Sequence, residues 1–354
     1  MHVVLSGYFG FNNEGDEAIL QSIIQSLRSL DKTVTITVLS NNPKQTADKY
    51  HVQVVNRWKI GEIRRTLHQA DGLISGGGSL LQDKTSLKTI PYYTTVMHLA
   101  RLSKTPVFIY SQGMGPIDHV ISKGLTRFTL NRVQQITVRD EASQELLQSL
   151  NVKKDITIVP DAVFGLEPVL KTSDWLKEEM LSNYLVVSVR PWPNSDSFYK
   201  LLAETLDDLP HDIVFMPMHG EDDEKQALVV SNMMTKRVHH VPAETSLEEK
   251  LAILSSAKLL IGMRLHALIF SSIVDTPFVA CSYDPKIDAI AKQLKQPRLL
   301  EVTKPETFNT FKDDVKEALA NADEAQLALV TSVDQFKQAA QLTTKEALQL
   351  FREN

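Results

Sequence analysis

Residues 3–27 read VVLSGYFGFNNEGDEAILQSIIQSL, and this stretch sets the pattern for most of the chain. An apolar run leads into a glycine-bearing loop, and an amphipathic segment follows the loop. The amphipathic segment places four apolar side chains at helical spacing: Ile19, Ile23, Leu27 and Leu30. Asp16 and Glu17 stand in its first turn, where the positive end of a helix dipole favours carboxylates. The stretch therefore predicts a β-strand, a loop and an α-helix in that order.

The same alternation of apolar runs and amphipathic segments continues along the chain. In the first half, further runs lie at residues 34–39, 72–75, 107–111, 136–138 and 156–159. In the second half, they lie at residues 185–189, 213–216, 259–262 and 278–283. Short buried strands that alternate with helices are typical of parallel sheets covered on both faces, so we expect an α/β protein.

The alternation is interrupted once, between residues 160 and 174, where turn-forming residues replace the apolar runs. We therefore predict one domain over residues 1–168 and a second over residues 169–305. Residues 306–354 consist mostly of helix-favouring residues, which predicts a C-terminal helical tail that packs on the domains.

Composition narrows the possible classes of protein. The chain has 354 residues, 43% of them hydrophobic, so it can bury a sizeable core. A net charge of −5 argues against a protein that coats nucleic acid, and any bound anion must be held by a local cluster of cations. Cys281 is the only cysteine, which excludes an internal disulfide. With no leader and no apolar run long enough to cross a bilayer, we expect a soluble cytoplasmic protein.

The loop after the first strand is the first candidate binding site, because ligands of open parallel sheets bind at the carboxyl ends of strands. Asn12, Glu14, Gly15 and Asp16 lie there. Its spacing is not G-x-G-x-x-G and its carboxylates would repel a pyrophosphate, so we favour a site for hydroxyl groups. A plain strand-to-helix turn capped by Asp16 is an equal alternative.

Two further loops contain glycines after apolar runs. Gly76, Gly77 and Gly78 follow one run, and three successive glycines cost conformational entropy at about 1 kcal/mol each. We expect them to allow close approach of a ligand or of the other half of the protein. Gln112 and Gly113 end another run and form a weaker signal.

Two arginines stand at strand ends. Arg139 follows residues 136–138 and precedes Asp140, so it is either paired with a neighbouring carboxylate or aimed at an anion. Arg190 follows residues 185–189, and it too is either paired with a carboxylate or aimed at an anion.

The most informative stretch is LLIGMRLHA, residues 259–267. It predicts a strand that passes through Gly262 into a buried helix, with Arg264 and His266 at the helix N-terminus. Backbone N–H groups, a guanidinium and an imidazole then share one space, which describes an anion site with a proton-transfer group. The next strand brings Asp284 and Lys286 to the neighbouring loop, adding a second cation.

Two other charged stretches have simpler interpretations. His219 lies near Asp222 and Asp223, but three candidate ligands in one loop more often form a solvated turn, and we predict no metal. His219 remains a candidate for substrate binding. The basic residues 57–65 could contact an anionic membrane, although a solvated helix face is the preferred interpretation.

An ordered set of motifs carries a family resemblance. The motifs are Gly7-Tyr8-Phe9-Gly10 with Asn12, Gly15 and Asp16; Ser75-Gly76-Gly77-Gly78; Gln112-Gly113-Met114-Gly115-Pro116; Val138-Arg139-Asp140; Pro160-Asp161; Arg264-Leu265-His266; and Ser282-Tyr283-Asp284. This set resembles the polysaccharide pyruvyltransferase family, especially the bacterial members that modify the cell-wall polysaccharide used to anchor surface-layer proteins.

The resemblance implies a GT-B-like fold, in which two Rossmann-like domains face a central cleft. It also implies transfer of the enolpyruvyl carbons of phosphoenolpyruvate to two hydroxyls of one sugar. The implied acceptor is the N-acetylmannosamine of a lipid-linked disaccharide, which becomes a 4,6-linked pyruvate ketal. The family's function maps onto Arg139, Arg264, His266 and Lys286, with no cofactor beyond the donor substrate. We expect the donor in the second domain and the acceptor in the first, with Arg139 reaching across and peripheral membrane contact left open.

The sequence is also compatible with two alternative functions. A nucleotide-sugar glycosyltransferase shares the two-domain architecture, although the chain lacks the pair of glutamates eight positions apart that many such enzymes use in the second half. A saccharide-binding module without activity would bind the acceptor and release no phosphate.

Overall fold

The structure, a computed structural model, describes residues 1–354 and divides into two compact units. The first unit consists of residues 1–166 together with residues 336–354, and the second consists of residues 167–335. The division lies two residues before the boundary predicted at residue 168. The predicted tail is shared, since its last part belongs to the first unit.

The first unit is built on a seven-stranded parallel sheet. Its strands are β1 (His2–Ser6), β2 (Thr35–Ser40), β3 (Gln53–Asn56), β4 (Gly72–Gly76), β5 (Val107–Gln112), β6 (Gln135–Val138) and β7 (Ile156–Ile158), in the order β3-β2-β1-β4-β5-β6-β7. Its helices are α1 (Glu14–Leu30), α2 (Pro43–Tyr50), α3 (Ile60–His68), α4 (Thr89–Leu102), α5 (Val120–Leu130) and α6 (Glu141–Ser149).

The second unit repeats this plan with a six-stranded parallel sheet. Its strands are β8 (Tyr184–Ser188), β9 (Asp212–Phe215), β10 (His239–His240), β11 (Leu260–Gly262), β12 (Phe278–Ser282) and β13 (Arg298–Glu301), in the order β10-β9-β8-β11-β12-β13. Its helices are α7 (Asp174–Glu179), α8 (Asp196–Asp207), α9 (Gly220–Ser231), α10 (Leu247–Ser255), α11 (Leu265–Ile273), α12 (Pro285–Gln293) and α13 (Phe311–Ala320).

The predicted α/β alternation is confirmed. All ten predicted apolar runs are strands, and each matches the observed strand to within one residue at either end. The pattern missed β3, β10 and β13 because the first and last of these carry exposed polar residues and β10 has only two residues. Each of these strands is near or at the edge of a sheet, where one-sided burial weakens the apolar signal.

The last helix, α14 (Ala322–Glu353), continues from residues of the second unit into those of the first. Its later part packs on the first sheet. The Phe351 ring fills the space in which a Cβ on Gly72 would lie, and the Tyr110 hydroxyl is 2.7 Å from the Thr344 hydroxyl. Residues 336–354 are therefore part of the first unit's core.

Candidate functional site

The strand order of each sheet reverses at one place, and ligands of open parallel sheets bind outside the carboxyl ends of strands at such a place. In the first unit the reversal lies between β1 and β4, and in the second it lies between β8 and β11. The sequence-predicted site residues lie in the loops and helix starts at these carboxyl edges, and the two units are described separately.

The loop after β1 ends in a helix cap formed by Asn13. Its side chain accepts hydrogen bonds from the backbone N–H groups of Gly15 (3.1 Å) and Asp16 (3.3 Å). The interpretation of Asp16 as the cap is therefore wrong: one cap suffices, and Asn13 occupies that position. Asn12 precedes it in the left-handed region, at φ 57°, and Glu14 begins α1. The Asp16 side chain is thus not needed to cap α1.

The three glycines at the end of β4 and directly after it make room for α1. A Cβ on Gly77 would lie 2.3 Å from Ile19 Cγ2, and one on Gly78 would lie 2.7 Å from Asp16 Oδ1. Gly76 likewise approaches the Ile23 side chain, at 2.9 Å. The expectation of a close approach by ligand or by the other half is thus corrected, because the first helix of the same unit fills this space.

Asp16 is the titratable group with the most altered environment in the first unit. Burial chiefly raises its pKa to about 7, and the charges of Glu17 and Asp161 add to the effect while Arg139 opposes it. A carboxyl group near half-protonation at neutral pH can donate or accept a proton. Such groups are found at functional sites more often than elsewhere.

Arg139 is held inside the first unit by acidic and hydroxyl partners. Its guanidinium lies 3.2 Å from Asp161, 3.4 Å from Asp140 and 3.1 Å from the Ser79 hydroxyl. The guanidinium also covers Gly113, at which a Cβ would lie 2.6 Å away. Of the two alternatives that the sequence left open, pairing with carboxylates is observed.

Gln112 is fully buried next to this network. Its amide nitrogen donates to the Ser75 hydroxyl, at 3.1 Å, and its amide oxygen has no hydrogen-bond partner. Gln112 therefore ties β4 to β5 below the loops rather than presenting its amide to solvent.

The basic stretch of residues 57–65 contains an unexpected buried cation. Arg57 is only 4% exposed and donates to the Gly7 carbonyl (3.1 Å) and the Tyr93 hydroxyl (3.4 Å). A solvated face is therefore the wrong interpretation for Arg57, because the guanidinium is inserted among aromatic rings. The neighbouring Trp58 is exposed.

In the second unit, Arg264 directly precedes α11 and pairs with a buried carboxylate of α9. Its Nε donates to Asp223 Oδ2 at 2.9 Å, and its Nη2 donates to Asp223 Oδ1. Asp223 also accepts from the backbone N–H groups of Met218 (3.2 Å) and His219 (3.0 Å). One carboxylate thus fixes both the guanidinium and the loop that contains His219.

His266 lies one residue beyond the start of α11 and is the only residue of that helix that is not buried. Its ring lies 6.1 Å from the Phe270 ring one turn later. The sequence predicted a buried helix with an imidazole at its N-terminus, and the structure shows this arrangement.

Arg190 and Lys286 meet at Tyr283. Arg190 Nη1 donates to the Tyr283 hydroxyl at 2.8 Å, and Lys286 Nζ lies 5.8 Å from the centre of the same ring. The guanidinium also lies against Trp192, at 5.1 Å, and it forms no ion pair, while its Nε is buried without a partner. Lys286 is 3.3 Å from Asp284, which caps α12.

Three cationic side chains of the second unit therefore follow three neighbouring strands. Arg190 follows β8, Arg264 follows β11 and Lys286 follows β12. Two of them have one carboxylate partner each, whereas Arg190 has none, so the edge is cationic although the whole chain is acidic. Two helix N-termini add to this field. Such an edge can hold a small anion beside the His266 imidazole.

Sequence reasoning missed the residues that organise these cations. Asp223 was predicted to lie in a solvated turn rather than to bind a metal, and this is wrong because Asp223 is fully buried in α9; Tyr283 was considered only as part of a motif. Asp161 pairs with Arg139 from a separate motif, and no local spacing connects the members of these pairs. The structure contains no group of three or more His, Cys, Asp or Glu side chains arranged for a metal ion.

None of the helices combines the length and the apolar character needed to cross a membrane.

Three solved structures show a fold similar to that of this chain. HepE from Anabaena, solved in complex with UDP and glucose, aligns over 100% of both chains with a TM-score of 0.66 at 10% identity. A glycosyltransferase from Rickettsia africae aligns over 99% of this chain and 98% of its own, with a TM-score of 0.68 at 12% identity. A putative UDP-N-acetylglucosamine 2-epimerase from Listeria monocytogenes covers 100% and 97%, with a TM-score of 0.68 at 12% identity. These likenesses show a GT-B-like fold.

Two sequence comparisons identify the family. The amylovoran biosynthesis protein AmsJ of Erwinia amylovora is 22% identical over 95% of this chain and 96% of its own length. The model of the polysaccharide pyruvyl transferase family matches residues 13–285, from the helix cap of the first unit to the start of α12 in the second. Because this match covers most of the chain and both candidate edges, the protein belongs to the polysaccharide pyruvyl transferase family.

Proposed function

We propose that this protein transfers the enolpyruvyl group of phosphoenolpyruvate to two hydroxyls of one sugar and releases phosphate. The proposed acceptor is N-acetylmannosamine in a lipid-linked cell-wall polysaccharide precursor, and the product is its 4,6-linked pyruvate ketal. Family membership supports pyruvyl transfer onto a polysaccharide precursor. The choice of sugar and of the lipid carrier rests on the resemblance to members that serve surface-layer anchoring.

The observation that carries this proposal is the set of cations at the carboxyl edge of the second sheet. Phosphoenolpyruvate has a carboxylate and a phosphate on a three-carbon frame, and it needs several cations close together. Arg190 has no carboxylate partner, so its guanidinium is available to an incoming anion. Lys286 also contacts Tyr283. Arg264 follows β11, which lies between the strands that precede Arg190 and Lys286. A planar guanidinium binds carboxylate or phosphate in a bidentate manner.

The reaction needs three proton transfers, one to carbon and one from each sugar hydroxyl. The methylene carbon of the donor gains a proton and becomes a methyl group, while the first sugar hydroxyl loses its proton and bonds to C2. The C2–O bond to phosphate then breaks, the second hydroxyl attacks C2, and its proton leaves with the phosphate. We assign these proton transfers to His266, whose imidazole follows Arg264 at the start of α11, and such a role is typically worth 10²- to 10⁴-fold in rate.

The first unit supplies the acceptor side in this proposal. Asn12, Glu14 and Asp16 offer amide and carboxylate groups that suit sugar hydroxyls, and the raised pKa of Asp16 allows it to exchange a hydroxyl proton. Arg139 stabilises the carboxylates of this unit through its pair with Asp161.

The direct test is phosphate release from phosphoenolpyruvate in the presence of a synthetic lipid-linked disaccharide that contains N-acetylmannosamine, with the product mass measured. We expect acceptor-dependent phosphate release and a ketal product. His266→Ala should lower the rate at least 100-fold while phosphoenolpyruvate still protects the protein against thermal unfolding. A rate within a few-fold of the parent would remove His266 from the chemistry.

The likeness to HepE, which was solved with UDP and glucose, keeps a nucleotide-sugar glycosyltransferase as the second candidate. Thermal unfolding distinguishes the two. Stabilisation by phosphoenolpyruvate supports pyruvyl transfer, and stabilisation by UDP alone supports the alternative. A protein that binds the disaccharide but responds to neither donor would be a saccharide-binding module.

A further inference from the structure

Four aromatic rings surround the guanidinium of Arg57 in the first unit. The guanidinium carbon lies 4.2 Å from the ring centre of Tyr92, 5.0 Å from Phe11, 5.3 Å from Trp58 and 5.5 Å from Tyr93. The cation forms no ion pair, and two neutral oxygens and these rings hold it in place. The buried guanidinium of Arg57 therefore contacts all four rings and fixes their positions.

The cluster is open to solvent at Trp58 and at a fifth ring, Tyr8. Trp58 is 61% exposed, and Tyr8 is 40% exposed while stacked on Phe11 with ring centres 4.0 Å apart. Trp58 also contacts Tyr92, with ring centres 5.7 Å apart. We call Tyr8, Phe11, Trp58 and Tyr92 the aromatic platform. An exposed aromatic cluster of this kind at the carboxyl edge of a parallel sheet marks a binding site more often than a bare surface.

Amide groups border the aromatic platform and hold it in place. Trp58 Nε1 donates to Asn41 Oδ1 at 2.9 Å, and Gln45 Nε2 donates to Asn12 Oδ1 at 3.1 Å. Asn12, Asn41 and Trp58 come from the loops after β1, β2 and β3, and Gln45 lies in the first turn of α2, so three strand ends meet here. The combination of an aromatic floor and amide groups at the rim matches the two faces of a pyranose, whose C–H bonds stack on a ring while its hydroxyls bind polar groups.

The charges at this place favour an uncharged ligand. Arg57 is covered by the rings, and the exposed Lys59 is 2.9 Å from Glu62. On the other side, the charge of Asp16 is close enough to raise the pKa of Tyr8, after the larger effect of burial. A phosphate bound here would be repelled by a carboxylate and would find no unpaired cation. A neutral sugar ring is not repelled and needs no cation.

We propose that the aromatic platform is the subsite for a pyranose ring of the acceptor saccharide and that Trp58 contributes most of its stacking surface. This inference rests on the proposed function for the identity of the acceptor, and it goes further by assigning residues outside the recognised motifs.

Binding without turnover tests the inference independently of pyruvyl transfer. The probe is the methyl glycoside of N-acetylmannosamine, observed by saturation-transfer difference NMR in the absence of phosphoenolpyruvate. We expect Trp58→Ala to weaken binding about tenfold and Trp58→Phe to restore most of it, because a ring rather than a hydrogen bond is required. Leu102→Ala removes another exposed apolar side chain of the same unit and should leave binding unchanged.

Kinetics provide the second measurement. With lipid-linked disaccharide as acceptor, Trp58→Ala should raise the acceptor KM about tenfold and leave the KM for phosphoenolpyruvate and the melting temperature unchanged. Binding and acceptor KM within twofold of the parent would overturn the inference. If the protein transfers no pyruvyl group but Trp58→Ala still weakens glycoside binding, the saccharide subsite is supported and the proposed reaction is wrong.

Discussion

Asp223, with no exposed surface, accepts two hydrogen bonds from the Arg264 guanidinium and two more from backbone N–H groups of the loop that precedes α9. The carboxylate is thus saturated, and the guanidinium of Arg264 is fixed in orientation at the N-terminus of α11. A positioned guanidinium binds an anion without first losing conformational freedom.

Replacing Asp223 with asparagine should therefore reduce both stability and donor binding. Removing one partner of a buried ion pair leaves an uncompensated charge, which typically costs about 3 kcal/mol. We expect a melting temperature lower by several degrees and a KM for phosphoenolpyruvate raised about tenfold. Asp174→Asn is the control, because its ion pair with Lys177 is exposed and should contribute little. Equal effects of the two variants would contradict this role of Asp223.

Arg190→Lys should impair donor binding more than it impairs stability. Lysine keeps the charge but loses the hydrogen bond to Tyr283 and the flat contact with Trp192. Initial rates at varied phosphoenolpyruvate should show a KM raised roughly tenfold, with melting close to the parent. Arg298→Lys, a surface change beside Asp288, is the matched control. An unaltered donor KM in Arg190→Lys would remove this residue from the donor site.

Asp16 should make the protein less stable as the pH rises. Its pKa is 3.8 in the unfolded reference and about 7 in the folded state. Between these values the folded state binds more protons than the unfolded state, so stability falls with increasing pH and the loss is complete above about pH 7. Asp16→Asn should melt at least 2 °C above the parent at pH 8 and near the parent at pH 4.

The control for this experiment is Asp48→Asn, which replaces an exposed carboxylate of α2. It should leave the melting curve unchanged at both pH values. If Asp16→Asn shows the same difference from the parent at pH 4 and pH 8, ionisation of Asp16 does not limit stability.

Gly77→Ala should destabilise the first unit. Its φ of +34° disfavours a side chain, and the new methyl group would lie 2.3 Å from the buried Ile19. We expect a loss of roughly 2 kcal/mol in chemical denaturation. Gly124→Ala lies within α5 with open space around it, and it should instead add about 0.5–1 kcal/mol. A neutral Gly77→Ala would show that α1 does not need the close approach seen here.

Local patterns predicted the strands well because burial on both faces of a parallel sheet leaves a run of apolar residues in the sequence. The same pattern predicted the stripe of α1, although Leu30 at its end is 43% exposed. Helix capping was harder to predict, since Asn13 and Asp16 are both acceptable caps and backbone geometry chose Asn13. The reason for three glycines was also not local, because the side chains that need the space come from α1.

Sequence alone determined the alternating architecture, the loops in which polar residues collect, and the motifs that mark the family. Only the tertiary structure decided which charges neutralise each other: Arg264 meets Asp223 and Arg139 meets Asp161, while Arg190 is left with Tyr283. The periodicity of apolar residues indicates which side chains of a segment are buried, and it depends on that segment alone. The choice of partner depends on strand order and on which loops the sheet brings side by side, and residues far apart in the chain decide it together.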